Sequence, residues 1–325
     1  MIVVTGGAGF IGSSFIWKLN QEGFDNIIIV DNLYDSTKWE NLVNLRYRNY
    51  FHRDEFIQRL LKEDFDFNIN AIFHLGACSA TTETDMDFLM ENNFKYTQIL
   101  AKWCLQNHSY FMYASSAATY GNGSEGFEDN EKNLVKLKPI NRYGYSKHLF
   151  DLTAQQQDWA ENLVGLKFFN VFGPNEYHKG DMRSVVCKAF DQVGHTKQMK
   201  LFKSYHPDFE DGGQKRDFIY VKDCVDVMWW LYKNPKISGL FNVGTGSART
   251  WNDLANALFL AMDIPPSIEY IEMPDSLKNQ YQYYTEATMA KLRSVGYKKP
   301  FTSLEHAVKD YVQKYMSTPS KHLSN

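Results

Sequence analysis

MIVVTGGAGFIGSSFIWKL, residues 1–19, carries three signals in succession. Met1 to Thr5 is an apolar run of strand length, Gly6, Gly9 and Gly12 follow, and Phe10, Ile11, Phe15, Ile16 and Leu19 then recur at helical spacing. A glycine loop between strand and helix lets the backbone turn sharply and approach a phosphate. The free N–H groups and positive end of the helix then stabilise its charge. A glycine triplet alone is also satisfied by a bare tight turn. Here the flanking elements, and Asp31 directly after the second β-branched run Ile27–Val30, favour a dinucleotide site, with Asp31 where an acid commonly accepts the adenosine ribose hydroxyl.

Outward from this unit, strand and helix signals alternate. Asp54 to Leu61 reads as a helix, Ala71 to Leu75 as a strand, Thr84 to Gln106 as a helix, Tyr110 to Ala114 as a strand, Asn141 to Trp159 as a helix and Leu163 to Phe169 as a strand. Nearly continuous apolar strands alternating with helices imply an α/β fold, a doubly wound parallel (Rossmann) sheet with helices on both faces. After Asn170 the pattern loosens into loops rich in Gly, Pro, Asp and Lys through Gly213. It then offers a strand at Phe218–Val221, a helix at Asp223–Tyr232 and a strand end at Phe241–Gly246. Pro265, Pro266, Pro274 and Pro300 punctuate the remainder, which suggests a smaller mixed α/β domain over the strand ends, where ligands bind in open sheets. The expected division is 1–169 plus 217–243 for the dinucleotide and 170–216 plus 244–325 for the substrate.

Composition removes several classes of function. With 325 residues, 44% hydrophobic and 22% charged, the chain is long enough for about two domains with sizeable cores and is not disordered. A formal net charge of −3 offers no general basic face for nucleic acid. No apolar run reaches the length of a membrane span, and the opening strand leads into glycines instead of a cleavage region, so a cytosolic protein is expected. Cys78, Cys104, Cys187 and Cys224 lack the spacing of zinc or redox motifs and read as buried thiols. No metal site is expected.

A second constellation comprises Ser116, Tyr143 and Lys147. Tyr143 and Lys147 are four residues apart in a helical segment and project from one face. A phenol is a poor base at neutral pH, but a neighbouring ammonium and a positively charged nicotinamide favour phenolate. Ser116, ending the preceding strand, is placed to hydrogen-bond a substrate oxygen, and Lys147 to hold a ribose. Tyr and Lys at this spacing also occur on many helix surfaces; the glycine loop is what favours chemistry.

TGGAGFIG at Thr5–Gly12, ASSAATYG at Ala114–Gly121 and YGYSK at Tyr143–Lys147 resemble the extended short-chain dehydrogenase/reductase family, over nearly the whole chain. VDNLYDSTKWENL (30–42), HLGACSATTETD (74–85), FNVFGPNEYHKGDM (169–182) and KRDFIYVKD (215–223) narrow the resemblance to family members that invert C6 of an ADP-linked heptose for the inner core of lipopolysaccharide. That likeness implies transient oxidation and re-reduction with a tightly bound nicotinamide cofactor, an ADP-heptose substrate and a homo-oligomer.

Residue by residue, the resemblance implies cofactor contacts at Gly6, Gly9, Phe10, Ile11, Gly12, Asp31, Asn32, Leu75, Gly76, Ala77, Cys78, Ser79, Asn92, Tyr143, Lys147 and Val171. Asp31 alone favours NAD, because a carboxylate repels a 2′-phosphate. The resembling enzymes nevertheless prefer NADP and place cations at the positions of Lys38 and Arg53, so NADP is expected. Lys179 stands where they carry a second acid/base, beside the cofactor. Substrate contacts are implied at Asn170, Asp181, Lys188, Phe202, Arg216 and Tyr281, with Arg216 suited to clamping a diphosphate. The chain departs from the pattern in a longer insert at 203–214, in Asp181 for a smaller polar residue and in Lys188 for a histidine.

Three alternatives bear on this reading. A nucleotide-sugar 4,6-dehydratase needs an acid pair where Ala117 and Ala118 stand. A 4-epimerase shares the oxidation chemistry and stays open, and a non-catalytic nucleotide sensor has no use for Ser116, Tyr143 and Lys147 together.

Overall fold

The computed structural model describes residues 1–278 and 281–324; residues 279, 280 and 325 of the expected substrate unit lie outside that range. Its centre is a seven-stranded parallel sheet built from β1 (Ile2–Thr5), β2 (Ile27–Asp31), β3 (Asn49–His52), β4 (Ala71–His74), β5 (Tyr110–Ser116), β6 (Val164–Phe168) and β7 (Gly239–Val243). The spatial order is β7-β6-β5-β4-β1-β2-β3. Every pairing is parallel, with Thr5 opposite both Val30 and His74. The order reverses at β1, so a crevice opens between the loops that follow β1 and β4, the place where such sheets take ligands.

The sheet has the doubly wound form expected of strands that are apolar on both faces. α1 (Phe10–Gln21), α2 (Arg53–Lys62), α3 (Tyr96–Gln106), α4 (Arg142–Gln156), α5 (Val185–Thr196), α6 (Val221–Lys233), α7 (Trp251–Ala261) and α8 (Leu304–Tyr311) are the longer helices. Some elements differ from expectation. Edge strand β3 was not visible in the pattern because of its four residues, NYFH, only Phe51 is buried. α5 and a strand at Met199–Phe202 occupy what reads as loop. α5 forms because Ser184 caps it, accepting from the Cys187 N–H, and because Val186, Cys187, Ala189 and Val193 fall on one buried face.

The expected helix 84–106 begins at Met86 and is interrupted by a wide π-type turn at Met90–Lys95 before α3. Within that turn Asn93 is fully buried and fastens the Cys78 backbone from both sides, accepting from its N–H at 2.8 Å and donating to its carbonyl at 2.9 Å. It also donates to Ser146 Oγ in α4 at 3.0 Å, which fixes the loop after β4 against the Tyr143 helix.

The apolar interior has two centres. One lies around the sheet and its helices and takes in Ala287, Met289, Leu292 and Tyr297 from the C-terminal third; the other joins α5, α7 and α8. Ile11 and Val171 pack against both, at the seam where the crevice lies. Strand pairs Asn170–Phe172 with Phe218–Tyr220, and Lys215–Arg216 with Arg249–Thr250, carry the chain between the halves. No helix among the described residues is long and apolar enough to cross a membrane.

Candidate active site

The glycine loop is built as its spacing requires. Gly6 has φ +65°, and a Cβ there would lie 2.5 Å from the Gly76 nitrogen, so the loops after β1 and β4 touch backbone to backbone. A Cβ on Gly12 would sit 2.0 Å from the Gly6 carbonyl oxygen. Gly9, by contrast, faces open space apart from that same carbonyl at 3.1 Å, leaving room for a ligand to approach the start of α1.

Asp31 is buried and its carboxylate accepts three hydrogen bonds. Oδ2 accepts from the Ala8 N–H at 2.8 Å, and Oδ1 accepts from the Asn32 N–H at 2.7 Å and from Lys38 Nζ at 2.6 Å. The acid expected to receive a ribose hydroxyl thus supports the glycine loop and holds Lys38. Arg53, at the start of α2, hydrogen-bonds Asn92 and reaches Asp54 at 3.2 Å. Lys38, Arg53, Cys78 and Asn92 line one cavity with Asp31, Asn32, Gly76 and Ala77, of about 290 Å³. Cys78 is only partly buried there, unlike Cys104, Cys187 and Cys224, because it borders the trough instead of the core.

A larger cleft of about 660 Å³ shares the walls of that cavity and runs to Ser116, Tyr143, Lys147, Asn170, Val171 and Lys179. Gly6, Gly9, Phe10, Ile11, Gly12, Leu75 and Ser79 also line it. Ser116 ends β5 and its Oγ accepts from the Ala118 N–H at 3.1 Å. Burial raises the Tyr143 phenol above its ordinary range, opposed by a hydrogen bond from Ser116. Lys147 is buried, and desolvation pushes it down to about 8 against the pull of Asp151. The expected depression of the phenol is therefore absent from the protein's own charges: burial dominates both groups.

Lys179 sits on a turn at Tyr177–Met182, with Nζ 5.5 Å from the Phe10 ring centroid. Burial lowers its pKa, and buried Glu176 opposes this. His178 lines the same cleft, pushed down to about 4 by burial and then by Lys38 and Lys179, so it is neutral at pH 7.

Arg216 is buried without a carboxylate in ion-pair range among the described residues. Its guanidinium lies 5.2 Å from the Tyr281 ring centroid and 5.7 Å from that of Trp251, which lines the cleft. The adjacent Asp217 is engaged elsewhere, by Thr245, Gly246 and Ala287. Of the six implied substrate residues, Asn170 lines the cleft, Arg216 and Tyr281 adjoin it through Trp251, and the other three lie apart from it. Asp181 and Lys188 are exposed, with Lys188 Nζ donating to the Asp181 carbonyl at 3.1 Å, and Phe202 ends a strand of the smaller half. Conversely, Trp251 and His178 escaped the sequence reading. Trp251 was findable as the first helical residue after the N-cap of the capping box Thr250-x-x-Asp253; His178 had no signal beyond its place beside Lys179.

This trough fits a dinucleotide: a glycine cradle at a helix start, an anchored acid after β2, and cations on both sides. Residues 2–244 match the NAD dependent epimerase/dehydratase family. The chain is 58% identical over 323 residues to the ADP-L-glycero-D-manno-heptose-6-epimerase of Nitratidesulfovibrio vulgaris strain Hildenborough, covering 99% of this chain and 100% of that one. It is 48% identical over 332 aligned positions to the protein of that name from Fusobacterium nucleatum, covering 99% and 100%. Among solved structures, the Helicobacter pylori ADP-L-glycero-D-manno-heptose-6-epimerase superimposes with a TM-score of 0.80 at 26% identity, covering 98% of this chain and 96% of that one.

Proposed function

Because the chain belongs to the NAD dependent epimerase/dehydratase family, we propose that it inverts C6 of ADP-D-glycero-D-manno-heptose to give ADP-L-glycero-D-manno-heptose. The observation that carries this reading is the gathering of Ser116, Tyr143 and Lys147 at the strand ends of one cleft that Lys179 also lines. Relatives matching along their whole length supply the substrate. A nicotinamide held in the trough lined by Gly9, Asp31 and Lys147 would supply reversible hydride transfer at C6, with no net redox change.

The chain's residues do the proton work. Tyr143 removes the proton from the C6 hydroxyl, Ser116 hydrogen-bonds the oxygen and opposes the effect of burial on the phenol, and Lys147 supplies a cation on the same helix that holds a ribose. Inversion requires the aldehyde to present its other face, which carries the oxygen away from Tyr143. Lys179, an amine whose pKa burial has lowered, is assigned to receive it there. Arg216, lacking an acid partner among the described residues, clamps the diphosphate. Ala117 and Ala118 leave no acid for dehydration.

NADP is the proposed cofactor. The carboxylate that would repel a 2′-phosphate is neutralised by Lys38 at 2.6 Å, and Arg53 lines the same cavity. In this reading residues 1–169 plus 217–243 hold the dinucleotide, and 170–216 plus 244–325 bind the sugar nucleotide. The resemblance further supports a cytosolic homo-oligomer serving lipopolysaccharide core synthesis. The test is incubation with ADP-D-glycero-D-manno-heptose without added cofactor, reading C6 configuration by NMR: the L-glycero epimer is expected, and its absence overturns the assignment.

A further inference from the structure

The insert at 203–214 is where the chain departs from its resembling family, and the structure gives it a definite place. Most of it is exposed, yet it packs onto Tyr283: the His206 and Phe209 rings lie 5.1 and 5.5 Å from the Tyr283 centroid, and the Tyr205 N–H donates to the Tyr283 hydroxyl at 3.2 Å. Tyr283 in turn meets Tyr281 edge-on at 5.3 Å, and its carbonyl accepts from the Lys215 N–H at 2.9 Å. Tyr281 is one of the two rings that flank the Arg216 guanidinium.

The insert also holds the start of the helix that carries the second ring. The Trp251 N–H donates to the Gln214 carbonyl at 3.2 Å, the Asn252 N–H to the Gly212 carbonyl at 3.1 Å, and Asn252 Nδ2 to the Asp211 carbonyl at 2.9 Å. Asp211 meanwhile accepts from the Ser204 N–H at 2.7 Å, which closes the loop on itself. Gly212 has φ +70°, and a Cβ there would stand 2.2 Å from Asn252 Oδ1. Finally, Trp251 Nε1 donates to the Tyr281 hydroxyl at 2.9 Å, joining the two rings directly.

From this we infer that the Lys203–Gln214 segment is a specificity element for the sugar nucleotide: it holds Tyr281 and Trp251 at the spacing that presents Arg216 to a diphosphate, with Tyr283 and Asn252 as positioning residues. The inference rests on the reading of Arg216 as the diphosphate clamp. A guanidinium aimed by two rings loses little freedom on binding, whereas one released from them pays ordering entropy each time. Disturbing the insert therefore weakens binding without touching Tyr143 or the cofactor trough.

The experiment uses the full chain with its bound nucleotide. Tyr283→Leu is expected to raise the dissociation constant of ADP, measured by calorimetry, and the KM for ADP-D-glycero-D-manno-heptose about tenfold, the effect of one charge-assisted hydrogen bond. kcat is expected within about twofold of the parent, with unchanged nucleotide content, and Tyr283→Phe, which keeps the ring, restores both constants. Gly212→Ala, which displaces Asn252, provides an independent route to the same rise should Tyr283→Leu fail to fold. Arg216→Ala separates the two levels of argument. If it weakens ADP binding while Tyr283→Leu and Gly212→Ala do not, the inference is overturned and the clamp stands. If Arg216→Ala leaves ADP binding intact, the clamp reading falls and the inference falls with it.

Discussion

Lys147 Nζ donates a 2.9 Å hydrogen bond to the main-chain carbonyl of Ala114, two residues before Ser116. This bond fixes the lysine of α4 to the end of β5, so the hydroxyl, the phenol and the ammonium keep their mutual placement before any ligand arrives. It satisfies one of the three Nζ protons and leaves the charge itself unpaired, since no carboxylate lies in ion-pair range of Lys147 among the described residues. Burial then makes the cation titrate near neutrality.

The first prediction follows from that titration. Lys147 is cationic below about 8 and loses its charge as pH rises through that value, so nucleotide binding to stripped protein should weaken between pH 7 and 9. The effect on folding has the opposite sign. The unfolded chain holds the proton more tightly than the native one, so this group's unfavourable contribution fades as pH rises from about 8 toward the unfolded value of 10.5. Titration of nucleotide-free protein with NADP across this range checks the point, and Lys147→Met should abolish the pH dependence along with most of the affinity.

Tyr143→Phe keeps the ring and removes the hydroxyl. It should fold, retain its nucleotide and lose epimerase activity by about a hundredfold or more. Lys179→Met should likewise retain nucleotide yet lose net inversion, and the double variant should show no substrate oxidation at all. Inversion by Lys179→Met at the parental rate would replace the two-base route with a single-base one.

Lys38 decides between the dinucleotides. Lys38→Ala should lower NADP affinity about tenfold, with NAD affinity within about twofold of the parent, because only NADP loses a charge-assisted contact. Identifying the nucleotide released on denaturing the parent protein completes the measurement. Equal losses for both would mean that Lys38 serves only to orient Asp31.

Behind the reactive helix lies an ion pair with no exposure to solvent, Lys167 Nζ to Asp151 Oδ2 at 2.9 Å, with Tyr113 and Ser115 also donating to Asp151. Asp151→Ala strands the ammonium in the core and should cost ~3–5 kcal/mol in denaturant unfolding. Combining it with Lys167→Met should recover much of that loss; a single-variant cost below ~1 kcal/mol would contradict the buried pairing.

What the sequence disclosed was local. Ser116, Tyr143, Lys147 and the glycine loop could be read because their chemistry depends on neighbours within a few residues, on one helix face or at one strand end. β3 was hidden because an edge strand with a single buried side chain leaves no alternation to detect. α5 was missed despite its cap and apolar face, under the weight of the Gly- and Pro-rich stretches around it. The setting of Arg216 was beyond reach for a different reason: Trp251 and Tyr281 are distant in sequence, and nothing in their spacing announces that they close on one guanidinium. The bond from Ala8 to Asp31 was equally out of reach, since Ala8 belongs to a different strand's loop.

Arg216 and Asp217 are consecutive, and the extended backbone sends them to opposite sides. The carboxylate is enclosed by four donors, from Thr245 twice, Gly246 and Ala287, while the guanidinium lies between the Trp251 and Tyr281 rings and donates to the Lys215 carbonyl. If Arg216 is the diphosphate clamp, a chain of net charge −3 would offer a dianionic ligand a locally positive site. Low-dielectric walls concentrate that field, so encounter with the ligand is steered by a few residues against the sign of the whole molecule. Steering of this kind fades with ionic strength, as screening shortens to about 8 Å in physiological salt. Substrate capture should thus slow with added salt even though the protein as a whole repels its substrate.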